Sequence, residues 1–289
     1  MPIMATRGCP YRCTFCSSPQ MWTTKWVARD PKDVVAEIKH YITTYGATNI
    51  DFYDLTAIVK KDWIITFCNL LKEEDVQITW QLPSGTRSEA IDEEVCKHLY
   101  DSGCRNMTYA PESGSPEVLG RIKKKVDLGK MLASMRSAIR IGINTKYNLI
   151  FGFPGETHRE VFQTLKFVVK TAWIGVHDLS IWLFSPYPGS ELFQQIKSEG
   201  KISYSDEYFI SLSAYSDFSS SVSWNKNMSA NRLRFYRLFG TMLFYGASYL
   251  LHPGRVIRII RNLRSGRHES RLESVIATSW KRLRIGVAE

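Results

Sequence analysis

Three cysteines near the N-terminus are the residues best suited to chemistry. Cys9, Cys13 and Cys16 stand at C-x3-C-x2-C spacing in the segment RGCPYRCTFC. Three thiolates on one loop can hold three irons of a 4Fe–4S cluster, whereas a structural zinc needs a fourth protein ligand and no other Cys or His lies nearby in the sequence. One iron then keeps an open position, where a small molecule can chelate. The spacing therefore predicts an iron–sulfur site that does more than carry electrons.

The other three cysteines, Cys68, Cys96 and Cys104, are scattered along the chain. Cys68 and Cys96 fall inside apolar helical patterns, which is typical of small buried hydrophobic residues. Six cysteines in 289 residues are also too few for a disulfide scaffold. We assign these three cysteines no ligand role.

The composition is that of a globular chain. At 289 residues, 44% apolar and 23% charged, the chain can bury one large core, or one core with a small appendage. No apolar run reaches the roughly 18 residues of a membrane span. The residues before the cysteine segment are too few for a signal peptide. Together these features predict a cytoplasmic location.

The elements that must position the cysteines follow an alternating pattern of strands and helices. For example, Asp33–Tyr45 has its apolar residues on one helical face, and Gly46 follows where a helix should end. Alternation of this kind predicts parallel strands joined by right-handed crossovers, in a doubly wound sheet or a barrel. The predicted strands are Ile3–Thr6, Asn49–Tyr53, Gln77–Leu82, Asn106–Ala110, Lys146–Phe151 and Leu179–Phe184.

Polar, glycine-containing and proline-containing clusters follow these strands one after another. A barrel collects its chemistry at the carboxyl ends of several strands, whereas an open sheet concentrates it at one switch point. The fold class is therefore predicted as α/β, with a partial (β/α)6 TIM-like barrel over residues 1–200. Residues 201–289 are predicted to form a mainly helical, basic accessory region, which begins with a loop or linker from Ser203 to Ser223.

The cysteine spacing, with an aromatic residue just before the third cysteine, resembles the signature of the radical S-adenosylmethionine superfamily. Later segments stand in that family's order: DFYD at 51–54, PESGS at 111–115, NLIFGFPGET at 148–157 and PYPGS at 186–190. The combination is most similar to the branch with an N-terminal cobalamin-binding domain, which includes the anaerobic magnesium-protoporphyrin cyclase and many methyltransferases. The resemblance covers about residues 1–200.

The resemblance implies two cofactors, a 4Fe–4S cluster on Cys9, Cys13 and Cys16, and S-adenosylmethionine. In that family the open iron binds the amino and carboxylate groups of S-adenosylmethionine, and the reduced cluster cleaves the sulfonium to methionine and a 5′-deoxyadenosyl radical. The implied partners are a small organic substrate for hydrogen abstraction, leading to methylation, cyclisation or rearrangement, and an electron donor such as flavodoxin or ferredoxin.

The resemblance also implies a set of residues that contact the cofactor. Structural alternatives stand beside several of them: apolar packing for Phe15, helix capping at Glu112 and Ser113, and a solvated surface position for Arg87. Many relatives carry two acidic residues where this chain has Tyr53 and Asp54, which leaves open which side chain acts. The expected contacts are Phe15 and Gly152-Phe153 with the adenine, Asp54 with the methionyl ammonium, Glu112 with the ribose or ammonium, Ser113 beside it, and Arg87 with the cofactor carboxylate or the substrate.

The C-terminal part of the chain carries most of the net charge of +10. From Ala230 onward there are twelve Lys and Arg residues against three Glu residues. Within it, Arg255, Arg258 and Arg261 recur near helical spacing with apolar residues between them. Such a helix can cap the barrel with its apolar side inward, lie on an anionic membrane surface or dock phosphate. Capping is the favoured interpretation, membrane-surface contact comes second, and nucleic acid is least favoured because no RNA-binding module is recognisable.

Other functions stay open beside the radical enzyme. One is a truncated, non-catalytic iron–sulfur remnant, and another is an electron-transfer iron–sulfur protein. Relatives place a cobalamin domain before the cluster, whereas here the cluster begins at Cys9. The chain is then a fragment, one subunit of a split cobalamin-dependent enzyme, or independent of cobalamin. Cobalamin is therefore expected only through a missing or separate domain.

Overall fold

A computed structural model describes residues 1–87, 90–212, 222–266 and 272–278. Its strands are β1 (Pro2–Ile3), β2 (Thr6–Arg7), β3 (Val27–Ala28), β4 (Asn49–Phe52), β5 (Thr79–Thr86), β6 (Cys104–Glu112), β7 (Asn144–Phe151) and β8 (Asp178–Leu183). Its helices are α1 (Ser18–Met21), α2 (Pro31–Tyr45), α3 (Lys61–Glu73), α4 (Glu93–Asp101), α5 (Pro116–Arg121), α6 (Leu128–Ile141), α7 (His158–Trp173), α8 (Glu191–Ser198), α9 (Asp206–Leu212), α10 (Ala230–Leu251) and α11 (Gly254–Ser265). Residues 272–278 are also helical.

Six strands form one parallel sheet in the order β1-β4-β5-β6-β7-β8. The spatial order follows the chain order, as in a barrel, and does not reverse at a switch point as in a doubly wound sheet. The prediction of a partial barrel with helical crossovers is confirmed. The bounds of the predicted first strand, Ile3–Thr6, are wrong, because the strand of the main sheet ends at Ile3. Thr6–Arg7 forms a separate strand, which pairs with β3 in a small antiparallel sheet.

Local signals explain where the helices begin and end. The side chain of Asp30 accepts a hydrogen bond from Lys32 N at the start of α2, and Pro31 stands in the first turn, where its missing N–H is no loss. Gly46 ends the helix with φ 62°, a left-handed conformation that glycine adopts without strain. These caps fix where each helix meets the next strand, and so where the strand ends lie.

The helix-facing side of the sheet is the apolar core. Phe52, Phe67 and Trp80 form one aromatic cluster with ring centroids 5.2–5.5 Å apart. The indole N–H of Trp80 donates to Ser102 O at 2.9 Å, so this buried donor is satisfied. Cys68 and Cys96 lie within the same core, and burial raises the pKa of each thiol to about 12. This agrees with their interpretation as small hydrophobic residues.

The C-terminal region packs against the last barrel unit. The ring of Phe244 in α10 lies 5.8 Å from that of Tyr147 in β7. Gly240 allows close approach, because a Cβ there would stand 2.7 Å from Ile181 Cδ1. Within the predicted linker, residues 206–212 form α9, so this part of the prediction is wrong, and residues 213–221 lie outside the described residues. The boundary at residue 200 stays a prediction, and so does the tail's structure at 267–271 and 279–289.

Among the described residues, no helix combines the length and apolar composition needed to cross a membrane.

Candidate iron–sulfur and cofactor site

The cysteine loop runs between β2 and α1 and is fixed from three directions. Gly8 has φ 75°, and a Cβ at this position would collide with Lys25 O at 2.1 Å, so only glycine fits. Further along, Thr14 N donates to Ile122 O at 3.0 Å, and Thr14 O accepts from Leu192 N at 2.9 Å. The loop is thus tied to the ends of α5 and α8 at the mouth of the barrel.

The three thiols of this loop are free and partly exposed. Thr56 Oγ1 lies 3.4 Å from Cys9 Sγ, and Ser18 Oγ lies 3.1 Å from Cys16 Sγ. Among the described residues, no three Cys, His, Asp or Glu side chains are grouped closely enough to ligate one metal ion. A 4Fe–4S cluster does not require such a group, because its thiolates bind different irons and stand further apart. Three thiols on one loop are the donors that three irons of such a cluster take, so the residues present fit an iron–sulfur cluster.

A buried ion pair lies beside Cys13. Lys124 Nζ and Glu112 Oε1 are 3.0 Å apart, with side chains only 8% and 10% exposed. The pKa of the Cys13 thiol is raised, mainly by burial. Lys124 and Arg87 lower this pKa, whereas Glu112 and Cys16 raise it further. Two cations and one anion thus act on the central cysteine: Arg87 follows β5, Glu112 ends β6 and Lys124 follows α5. A zwitterionic ligand such as an amino acid suits this set, because each of its charges meets an opposite one.

Glu112 reaches this position through an unusual backbone conformation. Its φ of 66° is left-handed, which costs a non-glycine residue about 1–2 kcal/mol. The residue ends β6 and turns its carboxylate toward Lys124. The expected helix-capping alternative falls to Ser115 instead, whose hydroxyl accepts from Val118 N at the start of α5. Strain held at a buried carboxylate is typical of functional sites.

Arg87 lies under the cysteine loop. Its guanidinium carbon is 3.5 Å from the centroid of the Tyr11 ring, and the residue is 5% exposed. This excludes the alternative of a solvated surface arginine. The stacking fixes the plane of the guanidinium, which favours a two-point hydrogen bond to a carboxylate.

Phe15 and Phe153 form an apolar wall next to the cluster loop. Their ring centroids are 5.5 Å apart, and Phe184 continues the wall at 5.4 Å from Phe153. Phe15 and Phe184, together with Ile150, line a cavity of about 270 Å³. Cys13 and Cys16 line a separate, more polar cavity of about 580 Å³ with Arg12. An apolar slot beside a polar, thiol-lined opening fits a ligand with an aromatic ring at one end and charges at the other.

The loop after β7, residues 152–157, is fixed by hydrogen bonds within the loop and by contacts with the accessory region. Gly152 N donates to Glu156 Oε2 at 2.6 Å, and φ at Gly152 is 89°. The buried side chain of Asn225 donates from Nδ2 to Phe153 O at 2.7 Å and to Glu156 O at 2.9 Å. A Cβ on Gly152 would stand 2.7 Å from Leu233 Cδ1 of α10. The accessory region therefore fixes the backbone that presents Phe153.

Asp54 and Ser113, two of the expected cofactor contacts, have protein partners. Asp54 Oδ1 accepts from the backbone N–H of Thr6 and from Thr6 Oγ1, the latter at 2.6 Å. Burial raises the pKa of Asp54, and these hydrogen bonds oppose the shift. Ser113 Oγ lies 3.0 Å from Thr164 Oγ1, on the side of α7. Both residues support the strand ends in this structure, and their contact with a cofactor stays a prediction.

The interior of the barrel is polar. Tyr147 of β7 packs outward on Phe167 of α7, so its neighbours Lys146 and Asn148 point to the opposite, inner face. The Oδ1 atom of Asn148 is buried and has no hydrogen-bond partner among the described residues. This interior can therefore hydrogen-bond a small polar molecule.

A larger cavity of about 660 Å³ lies elsewhere, lined by Ala47, Asp75 and Gly103. These residues stand before the strands begin, at the amino end of the sheet. Because barrels carry their chemistry at the carboxyl ends of the strands, we assign the site to the smaller cavities around Cys13 and Phe15.

The sequence matches the profile of the Radical SAM superfamily, in which SAM denotes S-adenosylmethionine, over residues 3–168, more than half of the chain. The chain belongs to this superfamily of enzymes. The resemblance first seen at the cysteine spacing is therefore confirmed, and so is the radical SAM family of the predicted enzyme.

Known relatives fall in the predicted branch. An uncharacterized methyltransferase of Pyrococcus horikoshii is 30% identical over 192 residues, covering 66% of this chain and 41% of that protein. The anaerobic magnesium-protoporphyrin IX monomethyl ester cyclase of Cereibacter sphaeroides is 26% identical over 205 residues, covering 70% of this chain and 32% of that protein. The chain thus spans about a third to two fifths of the length of these relatives.

A solved structure shares the fold. The radical SAM methyltransferase TsrM from Kitasatospora setae, with cobalamin and a 4Fe–4S cluster bound, aligns with a TM-score of 0.57 and 21% identity. The alignment covers 68% of this chain and 39% of TsrM. At this identity the likeness supports the partial barrel, and the ligands remain those of TsrM.

Two residues of the site escaped the sequence analysis. Lys124 stands in the run KKK at 123–125, which looks like a solvated surface. No pattern in the sequence distinguishes it, although in the structure Ile122 and Lys124 are buried while Lys123 and Lys125 are exposed. Asn225 had no local signal, since its partners lie 72 and 69 residues away in the sequence.

Proposed function

We propose that this chain binds a 4Fe–4S cluster through Cys9, Cys13 and Cys16 and uses it to cleave S-adenosylmethionine reductively. The observation that carries the proposal is the buried Lys124–Glu112 ion pair together with Arg87, which stacks on Tyr11 of the cysteine loop. A buried set with both signs of charge, next to a thiol of a free cysteine loop, suits the charged methionyl end of S-adenosylmethionine.

The remaining part of the cofactor would occupy the apolar slot. Phe15, Phe153 and Phe184 provide faces for an adenine ring, and Gly152 permits close approach of the backbone. Arg87 and Lys124 would bind the methionyl carboxylate, and Glu112 the ammonium or a ribose hydroxyl. In this arrangement the sulfonium would lie between the slot and Cys13.

When bound, the reduced cluster supplies one electron that breaks the carbon–sulfur bond of the sulfonium, giving methionine and a 5′-deoxyadenosyl radical. The contribution of the chain is to orient and to exclude water. Phe15 and Phe184 keep the cofactor in an apolar cavity, while the polar barrel interior at Lys146 and Asn148 holds a small organic substrate for hydrogen abstraction. A one-electron donor of the flavodoxin or ferredoxin kind would supply the electron.

The direct test is turnover of the cofactor. The chain is reconstituted with iron and sulfide under anaerobic conditions, reduced with dithionite and mixed with S-adenosylmethionine. We expect 5′-deoxyadenosine, detected by mass spectrometry, and none without dithionite. A reconstituted cluster with normal absorbance but no 5′-deoxyadenosine would contradict the proposal and favour a non-catalytic remnant.

Electron paramagnetic resonance separates this enzyme from a simple electron carrier. Binding of S-adenosylmethionine to an open iron should change the spectrum of the reduced cluster. An unchanged spectrum would contradict cofactor binding at the cluster, and the electron-transfer alternative would then be favoured.

A second candidate is cobalamin-assisted methyl transfer, because TsrM contains cobalamin and the relatives include methyltransferases. The reconstituted chain is mixed with hydroxocobalamin and passed through a desalting column. Retention of about one cobalamin per chain would support this candidate. Loss of all cobalamin would exclude binding by this chain alone, as expected if a separate domain supplies the cobalamin.

A further inference from the structure

The outer face of α10 is apolar, which is the reverse of the usual pattern for a helix that packs on a core. Its exposed residues recur at helical spacing and include Phe235, Leu238, Phe239, Met242 and Leu250, each 38–85% exposed. Leu250 is the most exposed of them at 85%. The inner face is buried against α7 and β8. The helix therefore has two apolar faces, and the barrel covers only one.

The exposed residues form a continuous surface with α7. The ring of Phe162 in α7 lies 6.0 Å from Tyr236, whose ring lies 5.8 Å from Phe235, and Phe239 stacks on Phe235 at 5.9 Å. At the other end of α7, Trp173 is 68% exposed. Isolated exposed apolar residues are ordinary on a soluble protein, but a contiguous patch of aromatic and aliphatic side chains indicates a binding surface.

The two helices run side by side in the same direction. His158 bonds Tyr236 near their starts, and His252 reaches Ala172 O at 3.2 Å near their ends. From Phe235 to Leu250 the surface is about 22 Å long, at the rise of an α-helix. We call this surface, made by the exposed apolar residues of α7 and α10, the apolar helix face.

The exposed charged side chains on α7, α10 and α11 are all positive. Between Ala230 and Gly266 the chain has seven arginines and no acidic residue. In α7 the acidic residue is Glu160, which is buried and ion-paired with Arg121 at 2.9 Å. Lys166 and Lys170 of α7 are exposed. An approaching surface thus meets apolar side chains and cations.

The adjoining helix α11 repeats the same combination. Ile257 is 64% exposed and Ile260 is 47% exposed, and the exposed arginines Arg261 and Arg264 follow them. Arg255 fixes the helix to the barrel by donating to Val176 O at 2.8 Å and to Gly175 O. Arg255 therefore holds α11 on the barrel, while Ile257 and Ile260 are exposed among the described residues and do not face inward.

We propose that the apolar helix face is a docking surface for an anionic lipid bilayer. The aromatic and aliphatic side chains would enter the interface between headgroups and acyl chains, and the lysines and arginines would meet the lipid phosphates. Apolar side chains alone would fit a second copy of the chain equally well. The positive charge exposed on these three helices favours lipid, because two such faces would bring arginines against arginines. This proposal is independent of the cofactor chemistry.

Vesicle sedimentation tests it with the full chain. Sucrose-loaded vesicles of phosphatidylcholine are compared with vesicles of equal parts phosphatidylcholine and phosphatidylglycerol. We expect at least about tenfold stronger partitioning to the anionic vesicles, since several basic residues contribute, and a marked loss at high salt. Equal partitioning to both vesicles, or none to either, overturns the proposal.

Matched variants assign the contact to this face. The triple variant Phe235→Gln, Phe239→Gln and Leu250→Gln should partition to anionic vesicles at least about tenfold more weakly. It removes three exposed apolar side chains that would otherwise enter the lipid interface. Tyr45→Gln is the control, since Tyr45 is 62% exposed on α2 and should partition like the parent chain. Circular dichroism and thermal unfolding establish that both variants fold.

Two outcomes would refute the assignment. If the folded triple variant binds anionic vesicles as well as the parent, another surface is responsible. If sedimentation equilibrium shows a parent dimer and a monomeric triple variant, without vesicle binding, the face is covered by a second copy.

Discussion

The barrel mouth and the apolar helix face reverse the usual distribution of side chains in opposite ways. At the mouth, charged residues are buried: Glu112, Lys124 and Arg87 are each less than 10% exposed. On α10, large apolar residues such as Phe235 and Leu250 are exposed. Buried charges and exposed apolar patches are the informative departures from a globular protein. The difference is that Glu112 and Lys124 pair with each other and Arg87 stacks on Tyr11, whereas no described part of the chain covers the exposed residues of α10.

The largest expected effect is the loss of the cluster when a loop cysteine is replaced, compared with no loss when a buried core cysteine is replaced. Cys13→Ala should abolish cluster loading, because the remaining two thiolates cannot hold three irons. Iron and sulfide content after anaerobic reconstitution measures it. Cys68→Ala is the matched control, since Cys68 is fully buried in the core, and should keep full iron content. Four irons per Cys13→Ala chain would show that the ligand assignment is wrong.

The next largest effect concerns the buried ion pair. Lys124→Met leaves the Glu112 carboxylate in the mouth without its cation, which typically destabilises a protein by about 3–5 kcal/mol. We also expect at least a tenfold weaker affinity for S-adenosylmethionine, equivalent to about 1.4 kcal/mol. Urea unfolding and equilibrium binding measure the two effects.

Lys125→Met is the control for this change, because it removes the same charge from the exposed neighbouring position. It should alter neither quantity noticeably. If Lys124→Met lowers stability but leaves cofactor affinity unchanged, the pair supports the fold and takes no part in binding.

The contrast between Lys124 and its neighbours shows how far sequence reasoning reaches. The cysteine loop and strand order could be predicted, because both are local patterns that repeat along the chain. Which of the three consecutive lysines is buried could not be predicted, since this depends on the backbone conformation at the end of α5. Lys123 has φ 53°, and the next residue is thereby directed into the barrel mouth. Burial of a charge is a tertiary property that composition and periodicity do not report.

A third prediction uses the other buried carboxylate, Glu156. Burial raises its pKa to about 7, the nearby Glu160 adds to the shift, and the hydrogen bond from Gly152 N opposes it. The folded chain therefore holds this proton above the pH at which the unfolded chain loses it. Its contribution to stability is present in acid and is lost as the pH rises through about 7.

The expected loss is up to roughly 3 kcal/mol, at about 1.4 kcal/mol for each unit of pKa shift. Glu156→Gln keeps the shape without the titration. The difference in free energy of unfolding between parent and variant should fall from pH 5 to pH 8, and other titrating groups cancel in this difference. A difference that is constant across this range would contradict a raised pKa.

The smallest expected effect concerns Asn225, which joins the C-terminal region that carries α10 to the barrel mouth. Asn225, just before α10, holds the carbonyls of Phe153 and Glu156 by two hydrogen bonds. Each carbonyl keeps another donor, Glu156 N for Phe153 O and Asn227 Nδ2 for Glu156 O. Asn225→Ala should therefore destabilise the chain by only about 1–2 kcal/mol.

The loop that presents Phe153 would nevertheless lose its fixed position, so we expect S-adenosylmethionine affinity to fall about tenfold, or about 1.4 kcal/mol, with cluster content unchanged. Ser223→Ala is the comparison, because among the described residues its hydroxyl bonds only within the same segment, to the Asn225 backbone and to Met228 O, and leaves the Asn225 side chain in place. If both variants lower affinity alike, the segment acts through general stability. If only Asn225→Ala lowers the affinity, the accessory region has a role besides the apolar helix face: its Asn225 side chain fixes the geometry of the apolar slot proposed to bind adenine.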